Sequence, residues 1–160
     1  MSHSIETYEN FENRITDLKC LLPDVLSFLP ENLDDATKVN EFIYSDSITD
    51  LRKIFKSNNI QTEFLSNKIP KFRIRKNADW FGPAFFIAFS MLTENKDLIT
   101  VALNVLSNYV TDLFKGSFSA KTAKLEIVVE ISKNKEYRRI KYEGSPEGIK
   151  DLPKIINSLK

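Results

Sequence analysis

One stretch limits what this chain can fold into more than any other. The apolar block from Trp80 to Phe114 is interrupted once, by Glu94-Asn95-Lys96-Asp97, and is followed by the alternating run Lys124-Leu-Glu-Ile-Val-Val-Glu-Ile131. Neither apolar half reaches the roughly 18–20 uninterrupted residues that a bilayer span needs. Asn104, Ser107, Asn108 and Asp112 further burden the second half, so both halves are expected inside a folded core and no membrane span is expected. Pro83 suits the first turn of a helix carrying Phe85, Phe86, Ile87, Phe89 and Leu92. A second helix, from Asp97 to Lys115, is stopped by Gly116. Its apolar positions Leu98, Val101, Ala102, Val105, Leu106, Tyr109 and Leu113 cover much of its circumference, which predicts a central helix touched on several sides. This helical pair spans 83–115.

The alternating run predicts a β-hairpin over 123–143. With Asn134-Lys135 as a two-residue turn, Lys133 faces Glu136, Val129 faces Ile140, Ile127 faces Tyr142, and Glu130 meets Arg139 on the other side. A slip of one residue would turn Ile140 and Tyr142 onto the face of Glu126 and Glu130. Ser145 as cap and Pro146 at the first position start a C-terminal helix over 146–159, with Ile149, Leu152, Ile156 and Leu159 inward. Pro153 should kink or split it.

Toward the N-terminus, Ile5, Tyr8, Phe11, Ile15, Leu18 and Leu22 recur at helical spacing, giving an amphipathic helix over 5–22 that Pro23 ends. Val25, Leu26, Phe28 and Leu29 between Pro23 and Pro30 are too short a run to assign. A strand-helix-strand unit follows over about 41–66. Glu41 to Tyr44 form its first strand, Ser47 and Asp50 start a helix in capping-box fashion, Asn58-Asn59 close it, and Ile60 to Leu65 alternate as the second strand. A helix over Ala36 to Ile43 competes with the first of these strands. Lys71-Phe-Arg-Ile-Arg75 alternates as a further strand. These elements make one α+β domain over 1–160: a mostly antiparallel sheet of about 4–5 strands packed on two central helices, with N-terminal and C-terminal helices completing the layer.

The chain's 160 residues suffice for a sizeable core, and 42% hydrophobic with 28% charged residues is an ordinary globular balance. A net charge of +1 gives no global field for nucleic acid or anionic lipid, so any such binding has to be local. Cys20 is the only cysteine, and the first ten residues carry Glu6 and Glu9 without the basic start and apolar run of a secretory signal. The expectation is a cytoplasmic chain that begins at Met1.

Catalytic chemistry has few footholds. His3 is the only histidine, so Ser-His-Asp and Cys-His sites lack their base, and neither a HExxH motif nor a thiolate cage can be built. The Gly-rich phosphate cradles are absent. Glu94-Asn95-Lys96 has the Glu-x-Lys spacing of metal-dependent nucleases, with Pro23-Asp24 far upstream, but it reads as a polar helix connection. No catalytic residue, cofactor or metal site is therefore assigned. The densest basic patch is Lys68, Lys71, Arg73, Arg75 and Lys76, interleaved with Phe72 and followed by Trp80. Cations with an aromatic platform are how single-stranded nucleic acid is held, whereas alternation alone would make them the wet face of an ordinary strand. A second cluster, Lys133, Lys135, Arg138, Arg139 and Lys141, fits the role of charges that guard a strand from edge pairing. No stretch carries the signature of a known family. The expected function is that of a non-enzymatic interaction or regulatory protein working by protein–protein recognition or self-association. The alternative is a nucleic-acid-binding accessory using Lys68 to Trp80.

Overall fold

The computed structural model describes residues 2–75, 79–115 and 121–159. In chain order it contains β1 (Ser2–Thr7), α1 (Phe11–Asp17), β2 (Leu26–Leu29), a 3-10 turn (Val39–Glu41), β3 (Ile43–Ser45), α2 (Ile48–Ser57), β4 (Thr62–Phe64), β5 (Lys71–Arg73), β6 (Trp80–Ile87), α3 (Phe89–Glu94), α4 (Lys96–Phe114), β7 (Ala123–Ser132), β8 (Glu136–Gly144), a 3-10 stretch (Pro146–Asp151) and α5 (Leu152–Ser158). The strands form a six-stranded sheet in the order β1-β8-β7-β6-β2-β4 and a separate pair, β3-β5. The α+β class is as expected. The sheet is larger than the expected 4–5 strands, and its β6-β7 and β2-β4 pairings are parallel while the other three are antiparallel.

The expected helix beginning at Pro83 is helical only from Phe89, as α3; its first half is instead β6, an inner strand of the main sheet. Trp80-Phe-Gly-Pro-Ala-Phe-Phe-Ile87 is buried on both faces, and a strand of that kind reads as a continuous apolar run, indistinguishable by periodicity from a buried helix. Its aromatic residues favour the pleated conformation. The missing N–H of Pro83 falls at the register irregularity between Phe81 and Ala84, where the ladder to β7 is already interrupted. Gly82 lies under Trp80, and a Cβ there would come within 2.5 Å of the indole ring.

Consecutive residues of β6 point to opposite faces, and their neighbours define the layers. Phe85 contacts Phe28 and, through α2, Phe55. Phe86 stacks on Phe11 of α1 at 5.7 Å between ring centroids and also meets Tyr137. One face is thus covered by α2, α4 and the C-terminal segment, which packs along α4; the other carries α1. The α4 helix was expected to be touched on several sides. It buries the stripe Ile99, Ala102, Leu103, Leu106, Ser107 and Val110, and leaves Val101 and Leu113 exposed.

The N-terminal helix over 5–22 is also corrected. Residues 2–7 pair antiparallel with β8, Ile5 opposite Ile140, and the helix is only Phe11–Asp17. Tyr8, Phe11, Ile15 and Leu18 are buried as the stripe required, but edge pairing satisfies the backbone of residues 2–7 where a helix would have left them without a tertiary partner. Lys19 at φ 58 turns the chain after α1.

The hairpin keeps its expected faces but not its register. Ile127 stands opposite Ile140, Leu125 opposite Tyr142 and Val129 opposite Arg138, a shift of two residues from the expected pairing. The cause is the connection. Lys133-Asn134-Lys135 is a three-residue loop with Lys135 at φ 64, and an irregularity between Glu130 and Ser132 absorbs the odd residue. Because the slip is even, no apolar side chain changes face. Arg139 consequently meets Glu126, with Nε 2.9 Å from Oε1, rather than Glu130.

At the C-terminus, Ser145 caps the chain by accepting from the Gly148 N–H, and the helix divides at Pro153 as expected, into a 3-10 stretch and α5. Ser47 precedes α2, yet its side chain makes no capping bond; it lies 2.8 Å from Ser45 Oγ, which donates to the Phe81 carbonyl. Residues 23–38, unassigned from the sequence, supply β2, buried along its length between β6 and β4.

Candidate functional site

The structure disperses the basic-aromatic segment Lys68 to Trp80. Arg75 makes a bidentate pair with Glu31 and lies 4.5 Å over the Phe81 ring. Arg73 reaches the same carboxylate at 3.5 Å, and Lys71 Nζ donates to the Asn40 carbonyl at 2.9 Å. Trp80 is a core residue, 8% exposed and edge-on to Tyr109. Lys76 lies outside the described residues. Lys68 and Phe72 remain exposed, and both border a different feature.

That feature surrounds β4, one of the two edge strands of the main sheet. A groove of about 1280 Å³ runs between the end of α1, the Thr37–Val39 segment and residues 62–70. A second, of about 800 Å³, lies between α2 and Phe72; the two share Arg52, Thr62 and Pro70. Leu21 and Ile69, 89% and 92% exposed, line the first, and Phe72 lines the second. These are large apolar side chains held in water, with Ile74 exposed two residues beyond Phe72, and clustered exposure of this kind marks interaction surfaces. Charge is one-sided. Lys19, Lys38, Arg52, Lys53, Lys56 and Lys68 are exposed along the grooves, against Asp17 and Glu63. None of these six cations forms an ion pair with a described residue. A chain of net charge +1 thus gathers six unpaired cations around these two grooves.

Arg52 is held over the Phe64 ring at 5.0 Å from its centroid, which fixes its direction along the β4 edge. A chamber of about 60 Å³ adjoins the first groove, sharing Val39, Ser66, Lys68, Ile69 and Pro70 with it, and Tyr44 forms part of its wall. Tyr44 is 2% exposed, and its hydroxyl makes no hydrogen bond of normal geometry. Burial pushes this phenol up to about 12, and a hydrogen bond from the Ser66 backbone opposes that rise. An unsatisfied hydroxyl in the interior costs stability. Tyr44→Phe should therefore stabilise the free protein by about 1 kcal/mol in urea unfolding, and a destabilisation of that size would show that the hydroxyl is well bonded.

The other charged cluster is structural. On the α1 face, Arg139 is flanked by Glu126, Asp34 and Glu6 and lies 3.6 Å from the Tyr8 ring centroid, while the Tyr8 hydroxyl donates to Asp34. These contacts tie β1, β7, β8 and the 30s segment together. Burial, then the Asp34 hydrogen bond, pushes the Tyr8 phenol well above its ordinary value. Burial and Glu12, to which it donates at 2.6 Å, do the same for Tyr137. His3 lies on β1 opposite Tyr142 and Cys20 is half-buried, its thiol pushed up by burial. Among the described residues no three His, Cys, Asp or Glu side chains gather closely enough to hold a metal ion, and no helix is long and apolar enough to cross a membrane.

Sequence reasoning missed five of the six cations. Arg52, Lys53 and Lys56 were visible as the polar side of the helix at 48–57, but only the fold brings them beside Lys68, Lys19 and Lys38. No family model, curated protein or solved structure matches this chain.

Proposed function

We propose that this protein is a non-enzymatic interaction protein that recognises another protein through the edge of the main sheet at β4. One observation carries the reading: six exposed cations without ion-pair partners surround two confluent grooves whose walls expose Leu21, Ile69 and Phe72. Elsewhere, cations are engaged at Glu31, Glu126 and Asp79, and the exposed, unpaired Lys96, Lys133, Lys150 and Lys154 line neither groove. Positive charge beside exposed apolar side chains offers an acidic partner both electrostatic steering and apolar contact. The single cysteine supports a cytoplasmic setting. The alternative, nucleic-acid binding along Lys68 to Trp80, has less support, because Arg73 and Arg75 are engaged by Glu31 and Trp80 is buried.

The test is selection of random peptides displayed against the immobilised full chain. Enrichment of a peptide class that a Leu21→Glu/Ile69→Glu variant no longer retains is the expected result. Failure of any class to enrich, or enrichment indifferent to that variant, would overturn the reading.

A further inference from the structure

Resting on that reading, we propose that the partner presents an extended segment of alternating acidic and apolar residues, which adds to the main sheet as a further strand along β4. The backbone supplies the first argument. β4 pairs in parallel with β2, Ser27 opposite Glu63, and the Leu65 N–H donates to the Phe28 carbonyl at 3.1 Å. In such a ladder the amides of residues 63 and 65 point at β2, and those of Thr62 and Phe64 point outward. No strand among the described residues takes that outer side. Open edges of this kind accept extended peptides through main-chain hydrogen bonds, with specificity set by the pockets that receive alternate side chains.

The surroundings of the edge choose the chemistry. The α2 side carries Arg52, Lys53 and Lys56, and the α1 side carries Lys19 beside the exposed Leu21. Successive side chains of an incoming strand point to opposite faces, so its acids meet the α2 cations on one face while its apolar residues meet Leu21 on the other, with Lys19 at the margin. The opposite edge of the sheet differs: β1 is exposed along its length, and its Glu6 is already engaged by Arg139 and Lys141. A second, independent observation is the buried Tyr44 hydroxyl beside the small chamber. Its proton lacks an acceptor of normal geometry, Lys68 lines the same chamber, and a partner carboxylate entering there accepts from both.

The experiment measures binding of fluorescent ten-residue peptides to the full chain by anisotropy at physiological salt. The probes are an alternating Glu/Val peptide, its Lys/Val counterpart, a Glu/Val peptide N-methylated at alternate residues, and a thymidine oligonucleotide of equal length. The Glu/Val peptide is expected to bind at least tenfold tighter than each of the others. Arg52→Glu/Lys53→Glu/Lys56→Glu should weaken it at least tenfold, and Lys53→Glu/Lys56→Glu, which leaves Arg52 on Phe64, by about threefold. Tyr44→Phe should also weaken it, although that substitution is expected to stabilise the fold. Equal binding of the Lys/Val or N-methylated peptide, tighter binding of the oligonucleotide, or self-association of the protein that excludes the peptide would overturn the proposal. If these arms fail while displayed peptides are still selected in a Leu21- and Ile69-dependent way, the partner's chemistry is wrong and protein recognition at this face stands.

Discussion

Phe86→Ala is expected to lower the free energy of unfolding by about 4 kcal/mol, read from urea denaturation monitored by circular dichroism. Phe86 is fully buried, opposite Ser27 on one neighbouring strand and Val128 on the other, with Phe11 stacked on it and Tyr137 against its edge. These partners come from β2, β7, α1 and β8, so a cavity here cannot close by movement of one element. Phe85→Ala should cost as much, because its ring is equally enclosed on the opposite face by Phe28 and Phe55. Two adjacent residues that are both critical, on opposite faces, are what an inner strand requires. Phe81→Ala should cost far less, since that ring is only half-buried beneath Arg75 and Lys124. A small loss at Phe86 would contradict the placement of residues 80–87 inside the sheet.

Arg139→Met is expected to destabilise by about 2 kcal/mol at neutral pH, because the largely buried Glu126 loses its compensating cation while the half-exposed Asp34 and Glu6 stay solvated. The arginine side chain is 14% exposed and serves Glu126, Asp34 and Glu6 together. The effect carries a pH signature. Burial raises Glu126 above its ordinary value of 4.5, and Arg139, followed by Lys141, opposes that rise. A carboxyl whose folded value is raised binds more protons folded than unfolded, so its ionised form costs stability above that value and the cost disappears as the pH falls through it. Without Arg139 the folded value of Glu126 climbs further. The loss relative to the unsubstituted protein should thus be full at neutral pH and shrink steadily as the pH is lowered toward 4.5. A loss that does not vary with pH would mean that Glu126 is not the group left exposed to the penalty.

Much of the topology was legible in the sequence because local patterns and tertiary demands agreed there. The helix at 48–57, the strands at 62–64 and 71–73, the hairpin faces and the break at Pro153 all follow from periodicity and turn chemistry. The failures occurred where a local signal was degenerate. Trp80 to Ile87 is apolar at every position except Gly82, and such a run fits a buried helix and a doubly buried strand equally well. Ile5, Tyr8 and Phe11 sit at helical spacing, but Ile5 answers to its partner Ile140 across a ladder rather than to Tyr8 along a helix. The hairpin register turned on one residue of loop length, with Lys135 adopting the left-handed conformation that a glycine or asparagine would have advertised.

The candidate site was less legible, for a reason of the same kind. A run of cations at 68–76 dominates the sequence, whereas the unpaired charge around the grooves is assembled from α2, the end of α1, the Thr37–Val39 segment and Lys68. Whether a cation is free depends on distant acids. Glu31, remote in sequence from Arg73 and Arg75, neutralises both, and no acid among the described residues does so for Lys53 or Lys56.

The proposed docking of a partner's backbone along the outer side of β4 has a direct readout. Amide hydrogen exchange of the full chain, with and without saturating Glu/Val peptide, tests this residue by residue. Slowed exchange at Thr62 and Phe64, with β1 unchanged, is the predicted result. Protection confined to β1, or peptide bound with the β4 amides exchanging as fast as before, would contradict it.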